Sequence, residues 1–316
     1  MISSILNAIQ EAEAHGTLSP EAVRPVLTGL SGDKLVGTLQ RLAKLFSTEP
    51  DTCYAEIGVF QGLTLLSVAA AVPEIPCYGI DNFSDHDPEG RNQAIFEERQ
   101  SKISAENAYL INEDLESALH NFKERSGGRK IGVLFVDGPH DYRSQIICLL
   151  FAKGALHDNA VIIVDDSNYQ HVRMANRDFL LSHPDYKLVF EAYTARHPIH
   201  MDSQEEAAAR AGWWDGVNIM VRDHDNVLEP ILPSDEPKSM CFVNDHIVHA
   251  HRYGELAPHA IQFLVGLEQP ARFPRTLFGL MKRFRKFRDG RHAESLATNT
   301  FSGGLTAGRY ASLRSK

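Results

Sequence analysis

The sequence predicts an α/β protein: a mainly parallel sheet of seven strands with helices on both faces, plus helical additions at its N- and C-terminal ends. Two observations carry this. From Thr52 onward, short apolar runs of strand length alternate with stretches long enough for a crossover helix, the pattern of a parallel sheet buried on both sides. The carboxyl ends of those runs are crowded with acids and glycines, and in an open sheet ligands bind outside those ends.

Residues 1–50 read as a helical region: Ile5, Ile9 and Ala12 share one face, and Leu35, Leu39, Leu42 and Leu45 share another at spacings of three and four. The core spans 51–223. Its strand candidates are Cys53 to Gly58, Cys77 to Asp81, Ala108 to Ile111, Gly132 to Asp137, Ala160 to Asp165, Tyr186 to Glu191 and Gly216 to Val221. The polar loop Ala192 to Asp215 carries Trp213 and Trp214 and is expected to form a substrate-side lid or wall. A C-terminal extension, 224–292, begins as a loop punctuated by Pro230, Pro233 and Pro237, with a helix resuming near Asp245. Within it, Thr276 to Arg288 places Leu277, Leu280, Met281, Phe284 and Phe287 on one face and basic residues on the other, a basic amphipathic helix. The Ser-, Gly-, Thr- and Ala-rich segment 293–316 is expected to be a disordered tail.

Composition narrows the class. Among 316 residues, 43% hydrophobic and 23% charged are ordinary globular values, which exclude wholesale disorder and fibrous repeats. The longest uncharged run, Ile57 to Pro73, is broken by Gly58, Gln61 and Gly62 and falls short of the ~20 apolar residues of a membrane span. Glu11 and Glu13 precede the first basic residue, Arg24, unlike a secretory signal, so a cytoplasmic location is expected. Cysteines 53, 77, 148 and 241 share no CxxC spacing and read as buried small hydrophobes. Net charge is −9, which argues against a nucleic-acid binder. Residues Arg272 to Arg291 hold eight basic residues and one acid, a local +7 that leaves −16 for the rest of the chain.

The first strand runs into Glu56-Ile-Gly58-Val-Phe-Gln-Gly62 and then a helix, so glycines would let a ligand approach the backbone. The second ends in Asp81, placed to accept hydrogen bonds from a ribose diol. A nucleoside-containing cofactor follows. The GxGxxG spacing that brings a pyrophosphate onto a helix N-terminus is absent, and Glu56 would repel a pyrophosphate but suit a cationic amino-acid portion. S-adenosylmethionine, with an amine, a sulfonium and no phosphate, fits such a site. Asp114 after the third strand is available for an adenine amine or as a helix cap. On these residues, the stretch from about Thr52 to Val221 resembles class I S-adenosylmethionine-dependent methyltransferases. Glu56 to Gly62 match the family's first motif and Asp81 its ribose-binding acid. The resemblance implies a Rossmann-like, seven-stranded sheet whose last strand is antiparallel.

At the other side of the expected cleft, the fourth strand ends Asp137-Gly-Pro-His140-Asp-Tyr142 and the fifth ends Asp165-Asp166-Ser. Adjacent parallel strands would bring the three carboxylates together, where they repel one another unless a cation neutralises them. Oxygen ligands on strand ends suit Mg²⁺, which would act as a Lewis acid on a bound hydroxyl. These residues look like those of metal-dependent sugar and small-molecule O-methyltransferases of the macrolide-sugar and cephalosporin-tailoring types. The resemblance implies Asp137, Asp165 and Asp166 as metal ligands and His140 as general base; in a metal-free methyltransferase Asp137 would instead contact the sulfonium side of the cavity as a cofactor-binding, catalytic residue. Other members carry Glu-Asp or Asp-Asn at the acidic pair. His246, His249 and His251 offer a second cluster, without the carboxylates that would mark it as a metal site.

The leading expectation is O-methylation of a sugar, glycan or related small-molecule hydroxyl. An NAD-dependent oxidoreductase is disfavoured by the missing GxGxxG, and a catalytically silent scaffold by the intact acids at three strand ends. The basic helix 276–288 is read as a packing element or as a peripheral contact with an anionic membrane, and the added helices offer surface for a homo-oligomer.

Overall fold

The computed structural model describes residues 1–84, 86–234, 257–268, 273–288 and 308–314. Its strands are β1 (Thr52–Ile57), β2 (Cys77–Ile80), β3 (Ala108–Ile111), β4 (Lys130–Val136), β5 (Leu156–Val164), β6 (Tyr186–Ala192), β7 (Val217–Arg222) and β8 (Arg309–Tyr310). They form one sheet in the order β3-β2-β1-β4-β5-β7-β6-β8. Neighbours from β3 to β5 pair in parallel, whereas β7 runs antiparallel to both β5 and β6, and β8 runs antiparallel to β6. Strand order reverses at β1, flanked by β2 and β4, so the crevice outside the carboxyl ends of β1 and β4 is the binding position of this topology.

The described helices are α1 (Ile2–His15), α2 (Asp33–Phe46), α3 (Leu63–Ala71), α4 (Asn92–Ile103), α5 (Leu115–His120), α6 (Phe122–Arg125), α7 (Tyr142–Ala152), α8 (Gln170–Ser182), α9 (Ser203–Ala211), α10 (Ala257–Glu268) and α11 (Phe273–Arg288). The pleat sends alternate strand residues to opposite layers. Tyr54, Phe135 and Ile163 pack with Ile5, Ile9, Leu39 and Phe46 of α1 and α2, while Leu134, Val136 and Ile162 pack with Leu149, Val172 and Phe179 of α7 and α8. The first 50 residues therefore cover one face of the sheet. Gly132 of β4 is where that layer comes closest: a Cβ there would lie 2.5 Å from the Phe46 ring.

Two expectations are corrected. The segment 293–316 was expected to be disordered, yet its described part, 308–314, rejoins the sheet as β8. The physical reason is a buried acceptor. Glu191 of β6 is 0% exposed and pairs with Arg309, and it also accepts from Tyr193 Oη (2.5 Å) and from Ser234 N and Oγ (3.0 Å each). The second correction concerns the loop before β7, which holds a helix, α9, opened by a capping box between Asp202 and Glu205. Trp213 and Trp214 are buried, Trp213 against Phe190 and Trp214 beneath Arg210, so they form core rather than a substrate wall.

Cys53, Cys77 and Cys148 are free and buried, and burial pushes the Cys53 and Cys148 thiols up to about 12. Cys241, the helix expected near Asp245 and the His246, His249 and His251 cluster lie outside the described residues. Among the described residues no helix is long and apolar enough to cross a membrane.

Candidate active site

The turn after β1 needs its glycines. Gly58 has φ +87°, and a Cβ on it would stand 1.9 Å from the Asp137 carbonyl oxygen, so the ends of β1 and β4 touch through this residue. Gly62 (φ +83°) caps α3 against Phe96. Asp81, at the end of β2, clamps the turn. Its Oδ2 accepts from Val59 N (2.8 Å) and Phe60 N (2.9 Å), and its Oδ1 accepts from Phe83 N (2.7 Å). Phe60 and Phe83 both hold positive φ, 50° and 52°, a strained conformation of the kind that gathers at binding sites. A carboxylate offers about four acceptor directions, so with three taken Asp81 keeps one acceptor position open to the crevice.

Two of the expected cofactor contacts, Glu56 and Asp114, hold hydrogen-bond partners within the chain. Glu56 is 0% exposed, with Oε2 accepting from Tyr54 Oη (2.6 Å) and Oε1 from Thr64 Oγ1 (2.7 Å). It lies inside β1, two residues from Tyr54 and so on the same side of the strand, and its hydrogen bonds tie β1 to α3, close enough to Asp137 and Asp165 for its charge to act on both. Burial is the main influence on its carboxyl, pushing the pKa up to about 8 against the pull of those two hydroxyls. Asp114 is the exposed N-cap of α5, accepting from Ser117 N (3.0 Å), which is the capping alternative.

At the ends of β4 and β5, Asp137, His140 and Asp166 each offer a ligand atom, and the three atoms lie within 4.8 Å of one another. His140 Nε2 is 2.7 Å from Asp166 Oδ2. Asp166 takes φ 51°, which turns it out of the strand's alternation, whereas Asp165 continues it and is only 2% exposed. Asp165 is therefore not in that group, and among the described residues its Oδ1 has no hydrogen-bond partner. Burial and the charges of Asp165 and Asp166 hold Asp137 well above the usual carboxylate range. For Asp165, burial and the charge of Asp166 do the same. Burial also opposes the charge on Asp166, but the charge and hydrogen bond of His140, with the charge of His197, bring it below its ordinary value.

A fourth acid and a second histidine join this cluster, and sequence reasoning did not find them. Asp215, just before β7, is 1% exposed, accepts from Asn168 Nδ2 (2.7 Å) and stands 3.3 Å from His197 Nε2. Burial and the charge of Asp166 raise its carboxyl well above the ordinary range. His197 Nε2 also lies 2.8 Å from Tyr169 Oη, and the Tyr169 ring lies against His140 with centroids 4.6 Å apart. The signal was the antiparallel pairing of β5 with β7, which returns the chain to the same edge as Asp166. Tyr142 donates to Asp178 Oδ2 (2.7 Å).

A parallel sheet reversing at β1, a glycine turn clamped by the acid of β2, and acids at the ends of β4 and β5 together border one crevice. Residues 55–167 match the family model of a methyltransferase domain. Over that stretch the chain is similar to a methyltransferase domain. Solved structures of similar shape include the O-methyltransferase TomG from Streptomyces achromogenes, involved in tomaymycin synthesis and determined with S-adenosylmethionine. It is 15% identical over 70% of this chain and 97% of that one, with a TM-score of 0.48. An O-methyltransferase from Bacillus cereus, in complex with S-adenosylhomocysteine, is 12% identical over 70% and 90%, with a TM-score of 0.43. CalS11, a TDP-rhamnose 3'-O-methyltransferase of calicheamicin biosynthesis, is 16% identical over 59% and 88%, with a TM-score of 0.41. No protein of curated function matches the sequence.

Proposed function

We propose that this enzyme methylates a hydroxyl of a sugar, glycan or related small molecule with the help of a divalent cation, Mg²⁺ by preference, and that His140 is the general base. The observation that carries the reading is the single cluster formed by Asp137, His140 and Asp166. The cation would be held by Asp137 and Asp166. The donor chemistry fits: two carboxylates meet a hard oxygen-seeking ion, and the repulsion from Asp165 and Asp166 that, after burial, raises Asp137 is what a cation relieves. When bound, S-adenosylmethionine supplies an electrophilic methyl group and the metal supplies Lewis-acid activation of the acceptor.

The chain's own residues do the rest. Gly58 and Gly62 open room for the cofactor at the end of β1, and Asp81 fixes that turn while keeping an acceptor for ribose. His140 takes the hydroxyl proton, with Asp166 orienting the ring and stabilising the imidazolium that results. Positioning the two reactants supplies most of the acceleration, and the base contributes about 10²- to 10⁴-fold. A direct test is transfer of labelled methyl from S-adenosylmethionine to a panel of sugars and phenols, with Mg²⁺ or with EDTA. The reading expects transfer to a hydroxyl that EDTA suppresses and Mg²⁺ restores. Transfer indifferent to EDTA would remove the cation, and transfer only to nitrogen acceptors would remove the O-methyl assignment.

A further inference from the structure

We propose that the helices α10 and α11 form an interfacial docking element that seats this protein on an anionic lipid surface, with its exposed apolar side chains at the headgroup boundary. The pair presents an unusual set of large side chains to solvent. On α11, Phe278, Met281 and Phe284 are 70%, 50% and 48% exposed, spaced by three residues along one side of the helix. On α10, Ile261, Leu264, Val265 and Leu267 are also exposed. Contiguous exposed apolar surface of this kind marks an interaction site.

The charge pattern selects the occupant. Lys282, Arg283 and Arg285 are exposed on the same stretch of α11, so Phe278 has Lys282 one turn away and Met281 has Arg285 one turn away. Residues Arg272 to Arg291 carry a net +7, in a chain whose remainder carries −16. Aromatic and aliphatic side chains interleaved with cations suit a lipid interface, where rings sink to the acyl boundary and ammonium and guanidinium groups reach the phosphates. A second copy of the chain fits poorly: a two-fold contact would set Lys282, Arg283 and Arg285 against their own copies, and the cores of protein interfaces are depleted in lysine. At 16 residues, α11 is about 24 Å long. Among the described residues no helix is long and apolar enough to cross a bilayer, so the element lies on the surface rather than spanning it.

The excursion that holds these helices is closed at its base. Ser234, before it, and Arg309, after it, both bind the buried carboxylate of Glu191, so the chain at these two positions is anchored at one point of the sheet. Substitutions on its exposed side chains therefore leave the methyltransferase core intact.

The test is vesicle flotation of the full chain with phosphatidylcholine alone and with phosphatidylcholine containing phosphatidylglycerol. Two triple variants are compared with it: Phe278→Glu with Met281→Glu and Phe284→Glu, and Lys282→Glu with Arg283→Glu and Arg285→Glu. The expected result is binding only to the anionic vesicles, weakened by salt, and reduced by about tenfold or more in either variant while S-adenosylmethionine binding is unchanged. The proposal is overturned if the unaltered chain ignores anionic vesicles, or if both variants bind as it does. It is also overturned if the apolar variant only converts a dimer to a monomer.

Discussion

His140 Nε2 lies 2.7 Å from Asp166 Oδ2, and the left-handed backbone of Asp166 is what brings the two together across the ends of β4 and β5. One carboxylate thereby serves two neighbours, orienting the histidine and facing Asp137.

His140→Ala is expected to lower turnover by about 10²- to 10⁴-fold with little change in the affinity for S-adenosylmethionine. Asp166→Asn should do more, because it removes both the orienting hydrogen bond and a proposed cation ligand. Steady-state kinetics beside calorimetric cofactor binding separates the roles. If His140→Ala kept full activity, another base would be required, and His197, held by Tyr169 and Asp215, is the nearest candidate.

Gly58→Ala should cripple the site from its backbone. The new methyl would meet the Asp137 carbonyl at 1.9 Å in a φ of +87° that alanine disfavours. A loss of roughly 1–3 kcal/mol in stability and a large loss of cofactor affinity are expected, read by denaturant unfolding and by titration. An alanine variant with unchanged melting and binding would mean that this contact can relax.

Glu56 makes stability depend on pH in a particular direction. Its folded pKa of about 8 lies above the unfolded value of about 4.5, so the folded state holds the proton more tightly. Its contribution is fully present below the unfolded value and is lost as pH rises toward 8, at a cost on the order of a few kcal/mol. Other raised carboxyls, Asp137, Asp165 and Asp215, push the same way, so the difference between the unaltered protein and Glu56→Gln isolates this group. Unfolding curves between pH 5 and 8 should converge toward acid pH and separate toward alkaline pH in favour of the variant. Parallel curves would show that Glu56 is ionised throughout.

Arg309→Ala tests the closure of the C-terminal excursion. It leaves the carboxylate of Glu191, at 0% exposure, with only neutral donors, and a cost of about 2 kcal/mol is expected because Arg309 itself is partly exposed. Pairing it with Glu191→Gln should recover part of that loss. Additive losses in the double variant would show that the two side chains do not interact.

Much of this architecture is legible in the sequence because parallel strands buried on both faces read as continuous apolar runs, and strand-end acids mark the crevice. Asp81, Asp137, His140 and Asp166 are found this way. The burial of Glu56 is less legible, because it depends on the alternation that Glu56 shares with Tyr54 within β1. Asp165 and Asp166 differ only in a backbone dihedral that no composition encodes. Asp215 and His197 lie some 30 to 50 residues beyond Asp166, and only the antiparallel return of β7 brings Asp215 beside it. β8 is two residues long in a Ser- and Gly-rich segment, too short for any periodic signal.

The measurement that bears most directly on the account is calorimetric titration of the purified protein with S-adenosylmethionine, beside NAD⁺, for the unaltered chain and for Asp166→Asn. The account predicts saturable binding of S-adenosylmethionine alone, retained in the variant. Binding of NAD⁺ instead, or of neither ligand, would contradict it.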